Sequence, residues 1–127
     1  MEEKTKKKIK VRSGIAKGRA FQKVAMEAFK EAFGLTEDDI RCPVGSETGE
    51  DIKLTKKARE IIGLSIECKN QKKFNLWQAL RQSSANCPDD ETCEAVVFKE
   101  HGKSKMFIIV PLDHYLELRE KLYWGIS

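Results

Sequence analysis

The spacing acid-x-Lys occurs three times in the 127-residue sequence, starting at Glu2, Asp51 and Glu67. The tripeptide is common, so only its surroundings can make it informative. Glu67 and Lys69 end an alternating segment whose other face is apolar, which predicts a strand with both charged side chains on one face, about 7 Å apart. The carbonyl of Cys68 lies between them. Because buried strands seldom carry a charge pair without a partner or an ion, this segment is the first candidate for chemistry.

Asp51 precedes Glu67 by sixteen residues and lies in another alternating segment. If the two strands pair, two carboxylates and the Cys68 carbonyl meet at one point, which is a donor set suited to Mg²⁺ or Mn²⁺. Such an ion activates water and neutralises charge on a phosphate, and Lys69 is placed to orient that water, so the predicted chemistry is phosphodiester hydrolysis. The alternative is a salt-bridged rim of the sheet without catalysis.

Hydrophobic periodicity predicts the elements that position these residues. The first helix has an apolar stripe that begins at Phe21 and ends at Phe33, and Thr55, Asn75 and Asp113 are predicted helix N-caps. The stretch 36–50 is interpreted as a loop or a short strand with a turn. The remaining segments, in chain order, are a helix over 13–33, a strand over 51–55, a short helix to 62, a strand over 64–69, a helix over 75–86, strands over 94–99 and 106–112, and a C-terminal helix. This order predicts one α/β domain with a central mixed β-sheet flanked by helices.

Composition is that of a globular chain, with 40% hydrophobic and 35% charged residues. It contains no apolar run long enough for a membrane span, and the charged N-terminus lacks the apolar core of a secretory signal. The four cysteines form no CxxC pair, so we expect free thiols in a cytoplasmic protein, although a structural zinc site stays open.

The net charge of +4 is modest, but its distribution is uneven. Residues 1–12 form a predicted basic arm, followed by a catalytic domain over 13–127. A basic arm suits contacts with DNA phosphates, although it could equally be a solvated tail that aids solubility. The candidate DNA-binding residues are Lys7, Lys8, Lys10, Arg12, Lys17 and Arg19.

The arrangement of Asp51 and Glu67-Cys68-Lys69 resembles the signature of the PD-(D/E)XK nuclease superfamily. The longer stretch GEDIKLTKKAREIIGLSIECKNQKKFNLWQALRQ resembles the core of small phage-type Holliday junction resolvases and related archaeal resolvases. The stretch EAVVFKEHGKSKMFIIVPLDHYLEL is similar to the hairpin and final helix of the phage-type proteins, so the resemblance covers roughly residues 17–118. It implies a restriction-endonuclease-like fold and a homodimeric, Mg²⁺- or Mn²⁺-dependent DNA endonuclease that cuts four-way junctions, in the host cytoplasm if the protein is phage-encoded.

The resemblance also implies roles for individual residues. Asp51 and Glu67 would bind the metal and Lys69 would be catalytic. A glutamine on the following helix commonly completes the site, and Gln82 fits this role better than Gln78, although either could instead lie on a solvated helix face.

One position departs from the family pattern. Gln22 stands where the first helix of the family often carries an acid, which puts a second metal ligand in doubt. Glu27 lies one turn further on and is expected to be too far away, whereas Glu47 and Glu50 in the loop before Asp51 are possible substitutes. This departure keeps two alternatives open, a nuclease for linear DNA and a DNA-binding module that does not cleave.

Several aromatic and aliphatic residues have structural interpretations. Trp77 is expected to pack against the domain, and Cys68 is expected in the core. The apolar C-terminus is either part of a subunit interface or folds back on its own core. Its residues are Leu118, Leu122, Tyr123, Trp124 and Ile126.

Overall fold

The computed structural model describes the backbone of residues 2–125 and the side chains of residues 15–125. This range contains four helices and five strands. In chain order they are α1 (Glu2–Phe33), β1 (Ile40–Arg41), β2 (Lys53–Leu54), α2 (Lys56–Ile62), β3 (Leu64–Lys69), α3 (Leu76–Ala85), β4 (Cys93–Lys99), β5 (Met106–Ile109) and α4 (Leu112–Trp124).

The main sheet has three strands in the order β3-β4-β5. β3 and β4 are parallel, with Leu64 opposite Cys93, and α3 forms the crossover between them. β4 and β5 form the antiparallel hairpin that the sequence predicts. The expected α/β domain with a mixed sheet flanked by helices is therefore confirmed.

The chain between α1 and α2 contains a second, smaller sheet. β1 pairs antiparallel with β2, with Ile40 opposite Leu54. The predicted strand over 51–55 is thus shorter than expected, but Ile52 is fully buried beside it. Asp51 therefore enters the sheet region on a segment fixed by a buried side chain.

α1 differs from expectation at its start and on its packing face. It begins at Glu2 rather than Ser13, because the preceding residues are good helix formers without Gly or Pro. The segment predicted as a basic arm therefore continues the helix. Phe21, Ala25 and Met26 are buried against the sheet, whereas Val24 is 55% exposed, so the packing face is narrower than the predicted stripe.

Two predicted caps are confirmed and one is wrong. The Thr55 side chain accepts from Ala58 N at the start of α2, and the Asn75 side chain accepts from Gln78 N at the start of α3. α4 has Pro111 as its N-cap and no side-chain cap, and Asp113 lies in the first turn instead. Proline suits this entry, since its fixed φ is preorganised for the start of a helix.

Trp77 and the C-terminal helix are exposed, whereas the sequence predicts that Trp77 packs against the domain and allows the C-terminus to fold back on the core. Trp77 is 69% exposed, and no residue of α4 is buried. Up to residue 125, the C-terminus therefore does not fold back on its own core. No helix within residues 2–125 is both long and apolar enough to span a membrane.

Candidate active site

Asp51 lies along the free edge of β3, which is an outer strand of the main sheet. Its backbone N–H donates to the carbonyl of Ile66 at 3.1 Å, and its Oδ2 accepts from the backbone N–H of Cys68 at 2.8 Å. The Asp51 carboxylate thus accepts the hydrogen bond from Cys68 N–H that the carbonyl of a neighbouring strand would otherwise accept. This clamp fixes the carboxylate beside Glu67.

Glu67 is only 7% exposed and faces the Asp51 carboxylate. Burial, together with the hydrogen bond to Asp51 and its negative charge, raises the pKa of Glu67 to about 8. At neutral pH the two carboxyl groups therefore hold one proton in the hydrogen bond between them. Two close carboxyl groups that share one proton form a site where a cation can take the place of that proton.

Lys69 is half-buried on the same face of β3, and its ammonium group acts against the rise in the pKa of Glu67. The predicted cluster of Asp51, Glu67 and Lys69 is therefore brought together. The apolar face is also as predicted, because Ile66 and Cys68 belong to the core.

The Cys68 carbonyl is the third oxygen in the predicted donor set. The Cys68 N–H points to the Asp51 side of the strand, and in extended backbone the carbonyl of a residue points to the same side as its N–H. Burial and nearby carboxylates raise the pKa of the Cys68 thiol well above its usual range, which keeps the thiol neutral.

Two carboxylates and one carbonyl fit a hard divalent cation that completes its shell with water, since Mg²⁺ commonly takes only one or two carboxylates. Among the side chains of residues 15–125, no three His, Cys, Asp or Glu residues converge as a metal-binding group. This donor set would suit a water-rich Mg²⁺ or Mn²⁺ shell better than the closed shell of a structural zinc site.

The two acids proposed as substitutes both have other partners. Glu50 is buried and pairs with Arg59 at 2.8 Å. Glu47 pairs with Arg41 at 2.8 Å, which with the Val44 N–H lowers its pKa to about 2. Both ion pairs hold the loop that carries Asp51, and a role of either acid as a substitute ligand stays a prediction.

The first helix approaches the site near Cys42. Burial raises the pKa of the Cys42 thiol, and the carboxylates of Glu27 and Asp51 act in the same direction while Lys23 opposes them. Glu27 is exposed and lies within electrostatic reach of Cys42. Gln22 is half-buried one turn before Met26.

The two glutamines of α3 are exposed. Gln82 lies next to Ser83 on the flank of the buried face, and Gln78 lies further round the helix. In the described part of the chain, no hydrogen bond joins either side chain to Asp51, Glu67 or Lys69. Their accessory role stays a prediction.

A pair of serines that the sequence analysis did not identify fixes α3 on the sheet. Ser83 Oγ donates to the Ser65 carbonyl at 2.6 Å, and Ser65 Oγ donates to the Ser83 carbonyl at 3.0 Å. Ser83 Oγ also accepts from Ala95 N at 3.0 Å, so one hydroxyl joins α3, β3 and β4. The small residues Ala79 and Ser83, one turn apart, were the available signal for this close approach.

Two of the predicted DNA-binding residues can be placed, and four cannot. Lys17 and Arg19 are exposed on α1, and Lys17 lines a groove with Lys99 at the end of β4. The groove also holds Asn70, whose buried Oδ1 has no hydrogen-bond partner. The side chains of the other four lie outside the described residues: Lys7, Lys8, Lys10 and Arg12.

Comparison with known proteins adds no relative to this geometry. No protein-family model, curated protein or solved structure matches the chain. The function is therefore inferred from the arrangement of Asp51, Glu67 and Lys69 and from the sequence resemblance.

Proposed function

We propose that the protein is a metal-dependent DNA endonuclease that hydrolyses phosphodiester bonds in branched DNA. The observation that supports this most is the contact between half-buried Asp51 and buried Glu67, on the strand face that also carries Lys69. Keeping a buried carboxyl group next to a second carboxyl group costs stability, and such costs concentrate at functional sites. A salt-bridged sheet rim without catalysis would not require Glu67 to be buried.

Asp51, Glu67 and the Cys68 carbonyl would hold Mg²⁺ or Mn²⁺, which when bound supplies Lewis-acid charge for the phosphate and a more acidic water. Lys69 binds a non-bridging phosphate oxygen and orients the attacking water at the same time. Asp51 keeps its position throughout, because the Cys68 N–H holds one of its oxygens. Glu67 would release its proton to solvent in order to hold the cation.

DNA as substrate is supported by the positive net charge and by the exposed cations of α1. Four-way junctions as the preferred DNA, a homodimer that makes two symmetric cuts, and a cytoplasmic location all follow from the resemblance to junction resolvases. Symmetry agrees with this, since one small domain offers one site and a twofold dimer offers two equivalent ones.

A DNA-binding module that does not cleave is the second candidate. The absence of a third acidic ligand among the described side chains favours it. A nuclease for linear DNA shares the chemistry of the main proposal and differs only in the substrate that it prefers.

Cleavage of labelled four-way junctions and matched linear duplexes, with Mg²⁺ or with EDTA, separates these candidates. We expect junction cutting that needs the metal and is lost in Lys69→Ala and Glu67→Gln. The exposed residues Lys72 and Glu60 provide matched controls, so Lys72→Ala and Glu60→Gln should cut normally.

Each other outcome has a definite meaning. Binding without cutting in any metal would identify the non-cleaving module, and equal cutting of both DNAs would identify the general nuclease. Normal cutting by Lys69→Ala would show that the catalytic assignment is wrong.

A further inference from the structure

α4 carries a broad apolar face that its own chain leaves uncovered. At 100° per residue, six large side chains fall within an arc of about 160° around the helix axis. Their exposed fractions run from 46% at Leu116 to 78% at Tyr123. A soluble helix normally turns such a face to a core. The face consists of Leu112, Tyr115, Leu116, Leu118, Leu122 and Tyr123.

An apolar groove of about 520 Å³ lies beside the N-terminus of α4. Its wall includes Trp77, which is 69% exposed on α3. The chain segment that forms the other wall leads directly into α4, so α4 leaves the groove and cannot turn back to fill it. We call this the α3 groove. Its apolar lining is Leu76, Trp77, Leu80, Ile109, Val110 and Pro111.

The charges of the two surfaces are complementary. Arg119 lies within the apolar arc of α4, and Glu94 lies in the groove; Glu120 borders the arc, and Arg81 lies in the groove. None of these four side chains forms an ion pair within residues 15–125. Arg119 of the helix can thus pair with Glu94 of the groove, and Glu120 with Arg81. One chain carries both surfaces.

The area is also sufficient for a stable dimer. Six half-exposed leucine and tyrosine side chains offer roughly 100 Å² each, or about 600 Å² per helix. Two helices and two grooves would bury about 2,000 Å² in total, which is the upper part of the range for specific protein complexes.

We propose that α4 of one copy docks in the α3 groove of a second copy, and that the reciprocal contact closes a twofold dimer. This deepens the proposed function by assigning the interface of its homodimer, but it depends on neither metal nor DNA. α3 also packs on β3 through Ser83, so the exchange ties the positions of the two Glu67 sites to each other.

The test is sedimentation velocity of the full chain over a range of micromolar concentrations, without metal or DNA. We expect a dimer for the wild type and an increase in its dissociation constant of about 100-fold or more for Leu116→Glu. Ile61→Glu is the matched control, because Ile61 is 45% exposed on α2, and it should leave the dimer intact. Circular dichroism checks that each variant is folded. We expect both to fold, because Leu116 and Ile61 are exposed in the single chain.

A charge-reversal pair tests the groove itself. Arg119→Glu and Glu94→Arg should each weaken the dimer, and the double variant should recover most of the wild-type affinity. A monomeric wild type, or a dimer that Leu116→Glu leaves unchanged, would overturn the proposal. Weakening without recovery would indicate direct pairing of two α4 helices and would overturn the groove assignment.

The outcomes also separate this proposal from the proposed function. A dimer that never cleaves DNA would remove the nuclease and leave the interface. A monomer that cleaves DNA would remove the proposed interface and leave the nuclease.

Discussion

Replacing Glu67 with glutamine tests the shared proton through protein stability. Glu67 has an ordinary pKa of 4.5 and a folded-state pKa of about 8, so the folded protein binds more protons between these values. Stability must then fall as pH rises through this window, and at pH 7 the loss amounts to about 3 kcal/mol. Glutamine keeps the shape and can still donate to Asp51, but it carries no charge.

The expected result is a pH-dependent gain in stability. Glu67→Gln should lie within about 1 kcal/mol of the wild type near pH 5 and exceed it by about 4 kcal/mol near pH 8. Urea denaturation in EDTA at both pH values measures this, with Glu60→Gln as the exposed control. Equal stabilities at both pH values, or a variant that is weaker at pH 8, would refute the shared proton.

Two further predictions concern α3 and the N-terminus. Ser83→Ala leaves the buried Ala95 N–H without its acceptor and removes the bond to Ser65, so the free energy of unfolding should fall by about 2–3 kcal/mol, while Ser84→Ala at the exposed neighbouring position should change it little. Equal urea midpoints for these two variants would contradict the role of Ser83. Deleting residues 1–10 removes five lysines, and the slope of log K for DNA binding against log salt should flatten by up to about four units. An unchanged slope would mean that this segment only aids solubility.

The arrangement around β3 was predictable because it depends on local rules. Alternation placed Glu67 and Lys69 on one face and Cys68 on the other, and short polar side chains marked the N-caps of α2 and α3. The site also needed Asp51 beside β3, which the sequence suggested only by its spacing and by the resemblance.

Other features depend on contacts that spacing does not encode. The clamp between Asp51 and the Cys68 N–H, and the burial that raises the pKa of Glu67, arise from tertiary packing. The ion pairs of Glu47 with Arg41 and of Glu50 with Arg59 also follow no local sequence pattern. The apolar side chains of α4 predict a buried face. Hydrophobic periodicity does not indicate whether that face packs against its own chain or against another one.

The central claim is that the Asp51–Glu67 pair is a divalent metal site, and calorimetric titration with Mn²⁺ at pH 7 tests it most directly. Because Glu67 holds a proton in the metal-free protein, binding in buffers of different ionisation enthalpy should reveal the release of about one proton per chain. Glu67→Gln should lose this release and most of the affinity, while Glu60→Gln should retain both. Absence of binding by the wild type, or binding without proton release, would contradict the account.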